Sequence, residues 1–128
     1  MFSNTTNSKK QGSVGIAAAI FYFSKCNHTV LLPITDSQSY DLVVDLESSL
    51  CRVEVKTTNT KTPSGCYVAC LKSSGGSKGF QYGTVKESRA DLLFILTGSG
   101  DQYLIPVTED LPSSSITLGP KYEEYKLM

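Results

Sequence analysis

Two carboxylates and one amine carry the reactive chemistry of this sequence: Asp41, Glu54 and Lys56, all within Y-D-L-V-V-D-L-E-S-S-L-C-R-V-E-V-K-T-T. Glu54 and Lys56 are two residues apart in an alternating run, so on a strand both side chains project from one face. If Leu46 to Ser49 form a loop, Asp45 faces Leu50, Val43 faces Arg52, and Asp41 faces Glu54. Residues directly opposite in an antiparallel pair have Cβ atoms ~4.5–5.5 Å apart. Two carboxylates that close repel each other, and a divalent cation between them converts the repulsion into attraction. Hard oxygen ligands suit magnesium or manganese. An ammonium beside such an ion can orient an attacking water or steady charge building on a phosphate. These are the parts of a metal-dependent phosphodiesterase.

The elements that must hold these groups follow from the same segment. Leu42, Val44, Cys51, Val53 and Val55 alternate onto one face of a predicted hairpin, a pattern for a buried layer. Asp41, Val43, Asp45, Arg52, Glu54 and Lys56 fall on the other face. A slip of one residue would send Asp41 to the face opposite Glu54, so the chemistry depends on that register. The bland alternative is a salt-bridge cluster on a sheet surface, which contributes only ~0–1 kcal/mol. On that reading Asp41→Asn changes no activity.

Upstream, the spacing predicts a helix from about Lys10 to Lys25, led by Ser, Thr and Asn residues able to cap it. Its expected buried stripe is Val14, Ala17, Ala18 and Phe21, widened by Ile16, Ile20 and Phe23. His28 to Pro33 reads as the first strand, and the polar turn Ile34 to Ser39, with Asp36, delivers Asp41. Downstream come a loop with Lys61, a strand over Cys66 to Leu71, and a Gly/Ser-rich segment carrying Lys72, Lys78, Phe80 and Tyr82. That segment lacks the G-x-x-x-x-G-K-[ST] order of a phosphate-binding loop. A short helical turn is expected over Val85 to Ala90. Asp91 to Thr97 is the most apolar strand and should be central, and Gln102 to Pro106 returns beside it. Tyr122, Tyr125 and Leu127 would pack on the sheet edge or on a second subunit.

The chain has 128 residues, which suits one domain with one core. Its apolar runs stay below the ~20 residues of a membrane helix, and no signal peptide is read at its start. Four cysteines at 26, 51, 66 and 70 form no C-x-x-C pair, which argues against structural zinc and for a reduced, cytoplasmic protein. Net charge is zero but unevenly spread: Met1–Arg89 holds ten Lys/Arg against six Asp/Glu, and Ala90–Met128 two against six. A molecule with one basic side can still steer to phosphate. Lys61, Lys72, Lys78, Lys86 and Arg89 are the cations offered to a DNA backbone.

Asp41 followed by Glu54-Val55-Lys56 resembles the PD-(D/E)XK nuclease signature. Taken in order, Y-D-L-V-V-D, R-V-E-V-K-T-T, A-D-L-L-F-I-L-T-G, Y-L-I-P and S-S-I-T-L-G-P-K-Y-E-E-Y resemble the homing endonucleases encoded in group I introns of cyanobacteria and their phages. The resemblance spans nearly the whole chain. It implies an α/β (α+β) fold with a restriction-endonuclease-like core, a mixed central β-sheet flanked by helices, over one nuclease domain at residues 1–128. It further implies Mg²⁺-dependent cleavage of double-stranded DNA by a homo-oligomer, dimer or tetramer, with Mn²⁺ as a substitute metal and no membrane association. Asp41, Glu54 and the Val55 carbonyl would hold the ion and Lys56 would act on water or phosphate. Relatives often carry a glutamate after the second glycine of G-x-x-G at the helix start. Here G-S-V-G is followed by Ile16, which cannot ligate, so the protein would manage without that ligand or use Asp45 or water instead. The alternatives are a Holliday-junction resolvase-like or repair nuclease, or a catalytically weakened DNA-binding module of the same fold.

Overall fold

The computed structural model describes residues 7–35, 37–72 and 83–128. Asn7 caps helix α1, Ser8–Lys25, by accepting from the Lys9 amide at 2.8 Å. Its side-chain oxygen thereby satisfies one of the donors that a helix start leaves without an intrahelical partner. After α1 come β1 (Thr29–Leu31), β2 (Leu42–Asp45), β3 (Leu50–Thr58), β4 (Tyr67–Cys70), β5 (Leu92–Thr97), β6 (Gln102–Pro106) and β7 (Ser115–Leu118). A 3₁₀ helix, Pro120–Tyr125, and β8, Lys126–Leu127, follow.

Six strands form a mixed sheet in the order β1-β2-β3-β5-β6-β8, and β4 and β7 form a second, two-stranded sheet. Within the large sheet β3 and β5 run parallel, while its other neighbouring strands are antiparallel. β5, with Leu93 to Thr97 all buried, sits in the middle, as its continuous apolar run requires. The chain between β3 and β5 supplies β4, so the crossover that a parallel pair needs also builds the covering layer.

Alternation sorts the side chains into two cores. Leu42, Val44, Val53, Phe94 and Leu96 face α1 and pack with Ala19 and Phe23. Leu93, Ile95, Tyr103 and Ile105 point the other way, into Ala69 and Leu71 near β4, Ile116 and Leu118 of β7, and Tyr122. The buried line of α1 is Gly15, Ala19 and Phe23. The expected stripe therefore lies rotated from the true one: Ala17 is exposed and Phe21 is 66 % exposed, with the Lys25 ammonium 5.6 Å from its ring. Gly15 explains the rotation. A Cβ there would come within 2.5 Å of Thr57 Cγ2 and 3.2 Å of Val55 Cγ1, so this face of α1 approaches β3 closely where it has no side chain at all.

The chain's end meets the expectation of packing at the sheet edge, since β8 pairs with β6 and Leu127 packs on the α1-side core. Residues 85–89 form turns rather than a helix. Among the described residues, no helix is long and apolar enough to cross a membrane.

Candidate active site

The hairpin ladder has the expected register. Leu42 pairs with Val53, Val43 with Arg52, Val44 with Cys51 and Asp45 with Leu50. One step further the ladder's register would set Asp41 against Glu54, but the chain slips by one residue and Asp41 joins Leu42 opposite Val53. β2 ends there, and the Asp41 amide donates to the Val53 carbonyl at 3.0 Å. Leu46 to Ser49 form the loop, closed by a hydrogen bond from the Leu46 amide to the Ser49 carbonyl at 2.9 Å.

Because β2 stops while β3 runs on to Thr58, the β3 edge is open beside Asp41. Asp41 turns its carboxylate onto that edge, and its Oδ2 accepts from the Val55 amide at 2.7 Å. The direction of the Val55 carbonyl follows from the same ladder. Val53 offers its carbonyl to Asp41 on the β2 side, whereas the carbonyls of Arg52 and Thr58 accept from Asp91 and Gly98 on the β5 side. Backbone groups of alternate residues point the same way along a strand. Val55 thus aims its carbonyl to the side where Asp41 sits.

Glu54 and Lys56 share the sheet face with Leu93 and Ile95, their partners in β5, and so point away from α1. Glu54 is only 4 % exposed. Its Oε1 pairs with the Lys56 ammonium at 3.3 Å, and its Oε2 is buried with no hydrogen-bond partner. A buried carboxylate oxygen without a donor is costly unless a cation takes it up. Burial pushes the Asp41 carboxyl above the usual carboxylate range. The Val55 amide opposes that rise, the Glu54 charge adds to it, and Lys56 opposes it. Two acids held together, one with an orphaned oxygen and one resisting ionisation, form a site whose electrostatics favour added positive charge.

The donor set is consistent with a hard divalent cation: two carboxylates and a backbone carbonyl, all oxygen, in a number that leaves room for water and phosphate. Among the described residues no group of three or more His, Cys, Asp and Glu comes together, so no third side chain of those types joins the two acids. Asp45 cannot stand in for the missing helix glutamate. It lies four residues from Asp41, about 13 Å along an extended strand, and its Oδ1 is engaged with the Glu47 amide at 2.9 Å. Ile16 directly follows the Gly15 contact, and the first turn of α1 carries no acid.

The candidate DNA-contacting cations are dispersed. Lys61 is exposed beyond the end of β3, with its ammonium 4.9 Å from the Tyr67 ring. Exposed Lys72 bridges to Thr84, bringing it near the turn that holds Lys86 and Arg89. Ser39 Oγ donates to the Ser88 carbonyl at 2.9 Å, which ties that turn to the segment leading into Asp41. Arg89 is exposed there, at a φ of 61° that a side chain of its size rarely adopts. Lys86 is partly occupied, since its ammonium donates to the Glu109 carbonyl at 2.8 Å. Lys78 lies outside the described residues, as do Asp36, Phe80 and Tyr82.

One positioning residue escaped the sequence reading. Asp91 Oδ2 accepts from the Arg52 amide at 2.8 Å and the Asp91 amide donates to the Arg52 carbonyl at 2.8 Å, clamping β3 to the start of β5 two residues before Glu54. Its only signal is an acid placed just ahead of the most apolar strand.

Comparison with known proteins gives two findings. The sequence profile of one family, described as PD-(D/E)XK endonuclease, matches residues 6–124. The fold matches the structure of a bacterial homing endonuclease, I-Ssp6803I, with a TM-score of 0.78 and 25 % identity, over 94 % of this chain and 88 % of that one. No curated protein sequence matches significantly.

Proposed function

The chain belongs to the PD-(D/E)XK endonuclease family, and on that premise we propose that it is a homing-type endonuclease that cleaves double-stranded DNA with Mg²⁺. The observation that carries the reading is the buried Glu54 Oε2 without a hydrogen-bond partner, near an Asp41 carboxyl that feels the Glu54 charge and is held at the open β3 edge by the Val55 amide. The homing character rests on the likeness to I-Ssp6803I.

In this proposal Asp41, Glu54 and the Val55 carbonyl hold the ion, and Mn²⁺ substitutes for Mg²⁺ because both take oxygen ligands. When bound, the metal supplies Lewis-acid stabilisation of charge on the phosphate and acidifies a coordinated water. The residues of the chain do the rest. The Val55 amide fixes the direction of the Asp41 carboxylate. Lys56, whose ammonium lies 3.3 Å from Glu54 Oε1, would orient the water or steady charge on the phosphate oxygens. Lys61, Lys72, Lys78, Lys86 and Arg89 contact the DNA backbone, which positions the duplex without reading its sequence. Residues 1–128 act as one nuclease domain in the reducing cytoplasm. A homo-oligomer, dimer or tetramer, presents two such sites to the two strands.

The test is substitution. Asp41→Asn, Glu54→Gln and Lys56→Ala should each abolish cleavage while DNA binding persists. Glu54→Gln is the mildest of the three, because an amide oxygen still reaches the ion. Wild-type rates from any of them would undo the assignment.

A further inference from the structure

A polar cavity of about 360 Å³ opens just beyond Lys56, within the size range of a small-ligand pocket. We propose that it seats a DNA backbone phosphate within two nucleotides of the scissile one, with Gln11 and Thr57 as neutral donors. The inference rests on the DNA-cleaving reading above and adds a second point of contact with the substrate. Gln11 of α1 and Thr57, whose Cγ2 lies against Gly15, wall the cavity on the α1 side of the large sheet. Cys70 of β4 and Ser115 of β7 wall it from the opposite side. Walls from both sides place it at an edge of β3, and β5 occupies the other edge as far as Thr58. The cavity therefore lies on the edge that holds the Asp41 carboxylate. β2 begins only at Leu42, and Ser39 is drawn off to the Ser88 carbonyl, so among the described residues no strand covers that edge beyond Val55. Thr57 alternates with Val55, so its backbone N–H points to the same open side.

The chemistry of the walls selects the occupant. Gln11 Nε2 donates to Thr57 Oγ1 at 3.3 Å. That bond uses one of the two carboxamide N–H groups and leaves Thr57 its own hydroxyl hydrogen. With the Thr57 backbone N–H, the pair offers three donors. Thr58 is committed elsewhere: its Oγ1 donates to the Val68 carbonyl and accepts from the Thr60 amide at 3.1 Å. Among the described residues no Asp or Glu lines the cavity, so a hard cation finds no carboxylate there and an anion meets no like charge. No Lys or Arg lines it either, so the seat holds through dipoles alone. Carboxamides, hydroxyls and backbone N–H groups are common partners of DNA phosphates. Val55 and Thr57 are about 7 Å apart along a strand, the axial advance of about two phosphates on one DNA strand. An ion beside Val55 and a phosphate beside Thr57 thus fit one continuous backbone.

Nitrogen-15 NMR on the full chain without metal tests this, with inorganic phosphate and then a short duplex of arbitrary sequence as probes. Both should shift the Gln11 side-chain amide and the Thr57 backbone amide. Gln11→Leu and Thr57→Val keep the shape of the original side chains and should melt as wild type does. Each should weaken duplex binding about two- to tenfold, the worth of one neutral hydrogen bond, and slow plasmid cleavage in Mg²⁺. The slope of log K against log salt should stay at the wild-type value, because no cation is lost. Thr57→Ser should bind as wild type does, and Gln11→Lys should steepen the slope by about one. Duplex signals that move only elsewhere, or shifts with inorganic phosphate that the duplex does not reproduce, overturn the seat. So do Gln11→Leu and Thr57→Val chains that bind and cut as wild type does, an outcome that leaves the nuclease reading standing. A duplex that shifts both amides yet is never cut in Mg²⁺ sinks the nuclease reading and keeps the seat.

Discussion

Magnesium alone, with no DNA present, should stabilise the fold, and Asp41→Asn should erase most of that effect. The Glu54 Oε2 is buried without a hydrogen-bond partner. Leaving a buried polar atom unsatisfied costs about 1–3 kcal/mol, and an ion that takes it up returns energy of that order. Mass action gives a consistent figure, since a ligand at a hundred times its dissociation constant stabilises by about 2.7 kcal/mol. For a chain of 128 residues, each kcal/mol moves the melting midpoint by about 3–5 °C. Saturating Mg²⁺ should therefore raise Tm by about 8–13 °C in a thermal melt followed by circular dichroism. Asp41→Asn removes one of two carboxylate ligands and should cut the rise to a small fraction. The same variant should melt no lower than wild type when both are metal-free at neutral pH. The sign follows from the raised Asp41 pKa, caused chiefly by burial. Ionising a carboxyl whose folded pKa lies above its unfolded value costs the fold. Its favourable contribution is complete below the unfolded pKa and lost as pH rises through the folded one. An equal Mg²⁺ shift in wild type and Asp41→Asn would refute the reasoning.

Three further outcomes are expected. Lys56→Ala should destabilise the metal-free protein by about 1–3 kcal/mol in urea titration, because it strands the buried Glu54 charge; the figure is below that of a fully buried pair, since the Lys56 side chain keeps 18 % of its exposure. Mg²⁺ affinity measured by calorimetry should fall as pH is lowered, beginning above the usual carboxylate range, because a proton and the ion compete for Asp41. Gly15→Ala should cost about 1–3 kcal/mol, as the new methyl group meets Thr57 Cγ2 at 2.5 Å; stability unchanged in denaturant would contradict the close helix–sheet approach.

The hairpin was legible because a period of two leaves one register in which both the apolar layer and the acids agree, and Leu42↔Val53 obeys it. β5 was legible from its unbroken apolar run. The face of α1 was not, for two physical reasons: Ala17, Ala18 and Ala19 make adjacent stripes equally apolar, and the closest contact belongs to Gly15, which carries no hydrophobic signal. β7 was missed, and with it the β4–β7 sheet. Ser115–Leu118 alternates over only four residues, and its pairing partners in β4 lie 45 to 51 positions back. The parallel joining of β3 to β5 leaves no local trace either, since nothing in either strand encodes its neighbour's direction. At the site Asp41, Glu54 and Lys56 could be singled out as candidates from spacing, while the Val55 carbonyl entered only through the family resemblance. The orphaned Glu54 oxygen and the Asp91 clamp on Arg52 belong to tertiary packing and appear only with the fold.

Incubation of wild type and Asp41→Asn with plasmid DNA, in Mg²⁺ and in EDTA, puts the central claim to the shortest test. Conversion of supercoiled DNA by the wild type in Mg²⁺ alone, with Asp41→Asn and the EDTA lanes inert, is the predicted result. Cleavage that survives either EDTA or the loss of the Asp41 carboxylate would contradict it.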